Sequence, residues 1–192
     1  ATLVAVVDRQ LSAAELKARF GDDIAVFDNT KAMLDAIRPD VVNIVTPPST
    51  HVELAMTCLE AGASIYVEKP FAMTAVETES VLHYAASRGL HACAAHQVLF
   101  QDAGRAYRRH LPIIGGIVHV ESFFSFRPVR RRTGGGGLSE PVDQLIDILP
   151  HPVYLLLDAL PAPQGGEAEL TALDVSADGE VRAVVRCGGA MG

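Results

Sequence analysis

Lys69 is the residue whose position most directly suggests chemistry. It closes a predicted buried strand and precedes Pro70. An ammonium group at such a place lies near an apolar crevice, where desolvation favours the neutral amine that can carry a proton near neutral pH. The alternative is a surface lysine whose stem lies along apolar neighbours, and for a lone lysine that alternative is the stronger one. The Lys69–Pro70 bond is also a candidate for a cis peptide.

Asp147 and His151 form the second candidate for proton chemistry. At a spacing of four they would share one face of a helix, and a histidine beside an aspartate is a common way to orient a proton donor. Pro150 cannot donate a helical hydrogen bond, so a helix could also begin at that residue. Two interpretations stay open from the spacing alone: an oriented proton donor, or polar residues that cap a helix.

Polar residues also follow other predicted strands, at the end where parallel sheets bind ligands. They are Asp8-Arg9, Thr46-Pro47-Pro48, Glu68-Lys69 and His96-Gln97. An acidic residue after a strand of a dinucleotide fold can accept hydrogen bonds from ribose hydroxyls. Asp8 is equally well explained as a turn residue that ends its strand, and both interpretations stay open.

Short apolar strands alternate with helices over the first half of the chain. Strands are predicted at 3–7, 24–27, 41–46, 64–67 and 91–95. Three capping boxes, Ser12–Glu15, Thr50–Glu53 and Thr74–Glu77, begin helices that end before Gly21, Gly62 and Gly89, and Asn29 or Thr30 begins a helix that Pro39 closes. This alternation predicts an α/β fold with a Rossmann-type, doubly wound parallel sheet.

A different pattern follows at about residue 100. A helix is predicted at 101–111, a strand with two distinct faces at 117–126, and an apolar helical segment at 143–160. Two further strands at 170–176 and 180–187 flank a hairpin signal at 177–179. We therefore expect two domains: residues 1–98, and a partial α+β domain with an open antiparallel sheet at residues 99–192.

Composition excludes several classes of function. The chain has 192 residues, of which 49% are hydrophobic and 20% charged, so a buried core is expected and disorder is not. A net charge of −7 argues against a nucleic-acid surface, and no apolar run is long enough to span a bilayer. Three distant cysteines indicate a reducing compartment, which we take to be the cytoplasm, and no histidine has a partner at metal-ligand spacing.

Three motifs occur in order along the chain: Thr46-Pro-Pro-Ser-Thr-His51, Glu68-Lys69-Pro70-Phe71 and Asp147-Ile-Leu-Pro-His151. Together they resemble the glucose–fructose oxidoreductase/inositol dehydrogenase (Gfo/Idh/MocA) family of nicotinamide-dependent oxidoreductases. The resemblance covers nearly the whole chain. It implies a Rossmann domain followed by a substrate domain whose open sheet makes homodimer or homotetramer contacts.

The resemblance also implies a role for each candidate residue. Lys69 would be the catalytic lysine, and His151 with Asp147 would act at the reacting carbon of a sugar, cyclitol or related polyol. Asp8 would bind the adenosine ribose, with Arg9 against the adenine, and Glu68 would lie near the nicotinamide ribose. The remaining cofactor-binding residues would be Thr46, Pro47, Pro48, His51 and Gln97, together with Lys69 itself. The cofactor implied is NAD more than NADP, because Asp8 would repel a 2′-phosphate, although adjacent Arg9 weakens that preference.

The sequence departs from the family pattern in three places. It contains no G-x-G-x-x-G fingerprint with its strand and helix, Gln97 and Leu99 replace Asn and Arg of an Asn-x-Arg-Phe segment, and Leu149 replaces a common Gly. In the strand order 3-2-1-4-5-6, the strand before that fingerprint would lie between the strands at 3–7 and 41–46. We therefore expect this chain to be a fragment that lacks pieces at both ends.

Two alternatives to an active oxidoreductase stay open. One is a non-catalytic family member that binds a dinucleotide as a sensor or regulatory subunit, and the other is an inactive fragment. The presence of Lys69, Asp147 and His151 together favours the enzyme, because a protein that only binds the dinucleotide does not need all three.

Overall fold

The computed structural model describes residues 1–115, 119–122, 148–159, 169–176, 181–187 and 190–191. The chain forms two compact units, Ala1–Ala95 and His96–Gly192. In the described part, no helix is long and apolar enough to cross a membrane. Asp147 lies outside the described residues, as do most of the strand predicted at 117–126 and the hairpin turn at 177–179.

The first unit alternates strands with helices, as the sequence predicts. Its elements are β1 (Ala5–Val7), α1 (Ala13–Phe20), β2 (Ala25–Phe27), α2 (Thr30–Ile37), β3 (Val41–Ile44), α3 (His51–Glu60), β4 (Ser64–Val67), α4 (Ala75–Ser87) and β5 (Ala92–Ala94). All of its strand pairs are parallel: β1 pairs with β2, and a second sheet has the order β3-β4-β5. Strands β1 and β3 belong to different sheets and do not pair with each other.

Local capping explains where most of these helices begin. The side chains of Ser12 and Glu15 exchange hydrogen bonds with each other's backbone N–H, and Thr74 and Glu77 do the same, so both predicted capping boxes are confirmed. The side chain of Asn29 accepts from the backbone N–H of Ala32 and caps α2. These caps satisfy N–H groups that have no partner inside their helices.

The capping box predicted at Thr50–Glu53 is wrong. A 3₁₀ turn at Pro48–Thr50 leads directly into α3, so Thr50 already has helical backbone angles (φ −104°, ψ −6°). An N-cap residue needs an extended backbone to turn its side chain back onto the helix. The hydroxyl of Thr50 instead donates to the carbonyl oxygen of Pro47, at 2.8 Å.

The core of the first unit lies where α3 and α4 pack on each other and on the β3-β4-β5 sheet. Leu59, Val67 and Val81 are fully buried there, as is Cys58. Burial raises the pKa of the Cys58 thiol to about 11, because the thiolate would lose its hydration. Cys58 is therefore a protonated, apolar core residue at neutral pH.

The second unit contains the 3₁₀ turn Gln97–Phe100, α5 (Asp102–Ile114), α6 (Pro150–Ala159), β6 (Glu169–Val175), β7 (Val181–Cys187) and β8 (Ala190–Met191). Its described strands form an antiparallel sheet in the order β6-β7-β8, and the pairing of Val175 with Val181 confirms the predicted hairpin. Helix α6 begins at Pro150, which was one of the two alternatives for this segment.

Helix α5 is longer than predicted. The sequence suggests an end at residue 111, before Pro112, but the helix continues to Ile114. A proline in the last turn removes only one helical hydrogen bond, and Gly115, with φ 83°, then ends the helix. Near its start α5 packs closely on the preceding 3₁₀ turn, because a Cβ at Gly104 would lie 2.5 Å from the carbonyl oxygen of Val98.

Candidate functional site

The carboxyl ends of β3, β4 and β5 lie at one edge of their sheet. Ile44 is in register with Val67, and Val67 with Ala94. The ladder extends one residue further, since the backbone N–H of Glu68 donates to the carbonyl oxygen of Ile44 at 2.9 Å. This register brings the segment after β3, which contains Thr46, to the same edge as Glu68 and Lys69.

His51 connects the two segments at this edge. Its ring is 1% exposed, with Nε2 2.8 Å from the carbonyl oxygen of Thr46 and Nδ1 2.9 Å from that of Pro70. A neutral imidazole has a single N–H, so only the imidazolium donates both hydrogen bonds at once. Its role toward the cofactor stays a prediction; in the structure the ring binds backbone on both sides.

A chain of hydroxyl groups orders the segment between β3 and α3. Because the Thr50 hydroxyl donates to Pro47, the Thr46 hydroxyl 2.7 Å away must be the donor in the pair it forms with Thr50. Thr46, Pro47 and Pro48 are exposed along this segment. The loop is therefore fixed by its own hydrogen bonds, while its outer surface is open to a ligand.

Glu68 and Lys69 form a tight turn after β4. The side chain of Glu68 accepts from the backbone N–H of Lys69 at 3.1 Å, and the Lys69–Pro70 peptide bond is cis. Glu68, Lys69 and Pro70 are all half-buried. Lys69 thus lies at the strand end where the sequence predicts it, with its side chain neither buried in the core nor fully in water.

Asp8 lies at the carboxyl end of β1. Its Oδ1 accepts hydrogen bonds from the backbone N–H groups of Gln10 (2.7 Å) and Leu11 (3.0 Å). These bonds stabilise the carboxylate and hold the pKa of Asp8 below its usual value. The turn interpretation of Asp8 is therefore confirmed, and it is compatible with ligand binding because the group stays charged at neutral pH. Arg9 is exposed beside it.

An open cleft adjoins Asp8. Its volume is about 300 Å³, and its lining residues are Asp8, Leu11, Ala13, Val26, Phe27 and Asp28. The backbone N–H of Asp8 donates to the carbonyl oxygen of Phe27 at 3.1 Å, so the cleft lies where β1 and β2 both end. Asp28, a second carboxylate at this place, is a residue that the sequence analysis missed, although it too directly follows a predicted strand.

In the second unit, His151 belongs to a cluster of three rings. It is the second residue of α6 and is 9% exposed, and its Nδ1 lies 2.8 Å from the hydroxyl of Tyr154, one helical turn further on. The ring of His96 stacks on the ring of Tyr154, with centroids 4.4 Å apart and an interplanar angle of 23°. Burial, and to a smaller extent His151, lower the pKa of His96, which favours its neutral form.

Tyr154 is the functional candidate that sequence reasoning missed in this unit, while His96 was named there only as a polar residue that follows a strand. The spacing of three between His151 and Tyr154 was a usable signal, because such residues lie on one helix face. The stacking of His96 had no local signal, since 58 positions separate it from Tyr154. Gln97, which the sequence assigned to cofactor binding, is exposed in the turn that follows His96.

Helices α5 and α6 are held together by an ion pair. The guanidinium of Arg108 donates from Nε and Nη2 to the two carboxylate oxygens of Asp158, at 2.9 and 2.6 Å. This paired geometry raises the pKa of Arg108 through the hydrogen bonds to Asp158. The pair links α6, which carries His151 and Tyr154, to the helix that packs on the 97–100 turn.

No metal centre is evident in the parts of the chain that the structure describes. No group of three or more histidine, cysteine, aspartate or glutamate side chains is arranged there to hold an ion.

Comparison with protein families shows to which family the chain belongs. Residues 1–96 match the oxidoreductase family with an NAD-binding Rossmann fold, Gfo/Idh/MocA. The chain belongs to this family. The resemblance stated from the Thr46–His51 and Glu68–Pro70 motifs is therefore confirmed, as is the Rossmann-type fold. NAD(P) is the cofactor class of the family that the first unit matches.

Individual Gfo/Idh/MocA relatives resemble this chain over different lengths. D-glucoside 3-dehydrogenase of Escherichia coli is 44% identical over 72 residues, or 38% of this chain and 20% of that protein. UDP-N-acetylglucosamine 3-dehydrogenase of Acidithiobacillus ferrooxidans is 34% identical over 152 residues, or 76% of this chain and 41% of that protein. A crystal structure of a dehydrogenase from Chromobacterium violaceum superposes with a TM-score of 0.78 at 24% identity, covering 98% of this chain and 55% of that one. The chain thus spans between a fifth and about half of the length of these proteins.

Proposed function

We propose that the protein transfers a hydride between NAD and the carbon of a secondary hydroxyl group on a sugar. The observation that carries this proposal is the position of Lys69, at the carboxyl edge of a parallel sheet in a family whose fold binds NAD. In such sheets the carboxyl edge is where ligands bind. A lysine there can exchange a proton with the substrate hydroxyl.

The cleft beside Asp8 fits the adenosine half of the cofactor. A charged carboxylate accepts hydrogen bonds from a ribose diol, and Val26 and Phe27 supply apolar surface for a base. The same charge would repel a 2′-phosphate, so we propose NAD over NADP, with exposed Arg9 as the opposing influence. No glycine-rich turn occurs among these residues, so we assign no group to the pyrophosphate.

The edge formed after β3 and β4 fits the other half of the cofactor. We assign Thr46, Pro47 and Pro48 to its path, with His51 holding their loop in place, and Glu68 to the nicotinamide ribose. Gln97 keeps its proposed role in cofactor binding. When bound, the nicotinamide supplies the redox chemistry, and the protein supplies binding, orientation and proton transfer.

Lys69 and His151 are the proposed proton-handling residues. In the oxidation direction, the hydroxyl proton moves to the neutral amine of Lys69 as the carbon gives up its hydride. His151 acts at the oxygen of the reacting carbon, and we keep Asp147 as its proposed partner. Proton transfer by a positioned side chain contributes about 10²- to 10⁴-fold to a rate.

The names of two relatives suggest the substrate class. Both are 3-dehydrogenases, one of a D-glucoside and the other of UDP-N-acetylglucosamine. We therefore propose a glucose-type sugar oxidised at its 3-hydroxyl, as the most specific member of the sugar, cyclitol and polyol class.

An exposed apolar face on the β6-β7 hairpin supports the proposal that the chain forms a homo-oligomer. Thr171 is the extra residue of a bulge, so Leu170 and Leu173 lie on the same face as Ala183 and Val185, and both leucines are more than half exposed. The opposite face carries charged residues, including the Glu169–Arg186 pair. We propose that the apolar face binds a second copy in a homodimer or homotetramer.

The substitution Leu173→Lys tests this proposal, because it places a charge on the apolar face. The variant should then be a monomer in analytical ultracentrifugation, and a monomeric wild type would contradict the proposed homo-oligomer.

Isotope transfer tests the proposed reaction directly. The intact gene product is incubated with NAD and a methyl glucoside that carries deuterium on carbon 3, and the reduced cofactor is analysed by mass spectrometry. We expect deuterium in the cofactor, while a glucoside labelled on carbon 2 should transfer none. Cofactor binding without label from either substrate, or from labelled inositol, would favour a non-catalytic sensor. Absence of binding to NAD and NADP would overturn the proposal.

A further inference from the structure

We infer that His51 is the positioning residue of Lys69, because it fixes the turn that carries the lysine to the loop after β3. The inference deepens the proposed function and rests on it for what Lys69 does to substrate. It goes beyond the cofactor-binding role that the family resemblance implies for His51. That role acts on the cofactor, whereas the role inferred here acts on the lysine.

The surroundings of the His51 ring leave it no nitrogen for a ligand. The residue is 1% exposed, with Nε2 2.8 Å from the carbonyl oxygen of Thr46 and Nδ1 2.9 Å from that of Pro70. A carbonyl oxygen has lone pairs and no hydrogen, so toward both neighbours the ring can only donate. Both nitrogens are therefore engaged with backbone, and the ring has almost no surface that a cofactor could touch.

The backbone around Lys69 is fixed at three consecutive residues. The N–H of Glu68 donates to the carbonyl oxygen of Ile44 at 2.9 Å, which continues the sheet. The N–H of Lys69 donates to the side chain of Glu68 at 3.1 Å. The third contact joins the carbonyl oxygen of Pro70 to His51. Of the three, it is the one that reaches beyond the sheet and the turn, so it determines where the turn lies relative to α3.

His51 can transmit a fixed position because it belongs to a helix that is anchored in the core. It is the first residue of α3, and Cys58 and Leu59 of the same helix are fully buried. A side chain in close-packed surroundings has little freedom to move. Pro70 has no N–H, so its carbonyl oxygen is the single polar group through which its backbone can be held. The turn and the loop after β3 therefore share one rigid support.

The position of Lys69 relative to the 46–48 loop matters for the proposed reaction. That loop is assigned to the cofactor path. The hydroxyl proton moves to the amine of Lys69, the hydride leaves the carbon for the nicotinamide, and a carbon–oxygen double bond forms. Such transfers need reacting atoms about 3–3.5 Å apart, and a misplacement of about 1 Å can cost about a hundredfold in rate. His51 thus acts on the rate through Lys69, without contact with substrate.

Amide hydrogen exchange tests the positioning role without substrate or turnover. It is followed by NMR on the intact gene product, at the backbone N–H groups of Glu68 and Lys69. In His51→Gln we expect exchange at Lys69 to become about tenfold faster, because the turn loses support. Exchange at Glu68 should change by less than about threefold, because that N–H belongs to the sheet. His83→Gln, at an exposed position on α4, should change neither. Equal acceleration at both positions, or none at Lys69, would overturn the inference.

The wild type provides a second measurement that decides the matter even if His51→Gln fails to fold. The protein is labelled with ¹⁵N-histidine and with proline that carries ¹³C at the carbonyl carbon. We expect a scalar coupling across the hydrogen bond, between a ring nitrogen of His51 and the carbonyl carbon of Pro70. Absence of this coupling would overturn the inference.

Kinetics of a double variant separate a positioning role from a general loss of structure. His51→Gln should lower kcat about tenfold to a hundredfold when Lys69 is present, and by less than about threefold in a Lys69→Met background. A residue that acts through Lys69 has nothing to position once the amine is gone. An equal loss in both backgrounds would overturn the inference. Absence of turnover in the wild type would refute the proposed function, while hydrogen exchange would still decide whether His51 holds the turn.

Discussion

Nδ1 of His51 lies 2.9 Å from the carbonyl oxygen of Pro70, a residue 19 positions further along the chain. The other ring nitrogen lies 2.8 Å from the carbonyl oxygen of Thr46. One buried side chain therefore connects the loop after β3 to the turn that carries Lys69. The histidine of the first motif and the proline of the second are thus in direct contact, which supports the proposal that both motifs serve one site.

Replacing His51 should destabilise the fold. His51→Ala would remove the ring that makes both part-buried contacts with the carbonyl groups of Thr46 and Pro70 and would open a cavity, and we expect a loss of about 2–5 kcal/mol in the free energy of unfolding. His51→Gln keeps one donor and should lose less. Urea unfolding measures both, with the exposed His83→Ala as a control that should change stability by less than about 0.5 kcal/mol. Equal stability of His51→Ala and His83→Ala would contradict the role given to the ring.

The close approach at Gly104 predicts sensitivity to a single methyl group. A Cβ there would lie 2.5 Å from the backbone oxygen of Val98 and 2.8 Å from that of Leu99, so Gly104→Ala must shift the 97–100 turn or α5. We expect a loss of about 1–3 kcal/mol despite the better helix propensity of alanine. The neighbouring exposed Ala103→Ser is the matched control. A more stable Gly104→Ala variant in thermal unfolding would show that the turn is not packed as described.

The charge of Asp8 should determine the choice of cofactor. Asp8→Asn removes the carboxylate that opposes a 2′-phosphate, so the ratio of NADP to NAD affinity should rise by about five- to tenfold. Calorimetric titration of the intact gene product with each cofactor measures the ratio. The exposed Asp23→Asn serves as the control for net charge. A ratio that changes equally in both variants would remove Asp8 from the ribose site.

Asp8 should also make the free energy of unfolding depend on pH. Two backbone N–H groups lower the pKa of Asp8 in the folded protein. Its stabilising contribution is therefore complete above the pKa of the unfolded state and is lost as the pH falls through the lower, folded value. As the pH is lowered below the unfolded-state pKa, the free energy of unfolding of Asp8→Asn should thus fall less steeply than that of the wild type.

Patterns among residues close in sequence were sufficient to predict most of the helices and strands of the first unit. The capping boxes at Ser12 and Thr74 and the bounds of β4 depend on neighbours in sequence, and the structure confirms them. The rule failed at Thr50, because the two preceding prolines favour a 3₁₀ turn that feeds straight into the helix. A pattern of residue types alone does not show which backbone angles precede a helix.

Such local patterns did not predict contacts between segments that are distant in sequence. The stacking of His96 on Tyr154 depends on how a turn and a helix pack, and no spacing in the sequence indicates it. The same holds for the two carbonyl partners of His51, although the sequence did assign His51 and Lys69 to one functional region. The sequence thus names candidate residues, and only the structure shows which contacts hold them in place.

The central claim is that Lys69 carries the proton of the reaction, and one comparison tests it most directly. In the intact gene product, Lys69→Met should lower kcat by about 10²- to 10⁴-fold and change the Kd for the reduced cofactor, followed by its fluorescence, by less than about threefold. Lys31→Met, at an exposed position on α2, should match the wild type in both. Turnover by Lys69→Met within threefold of the wild type, with cofactor still bound, would contradict the account.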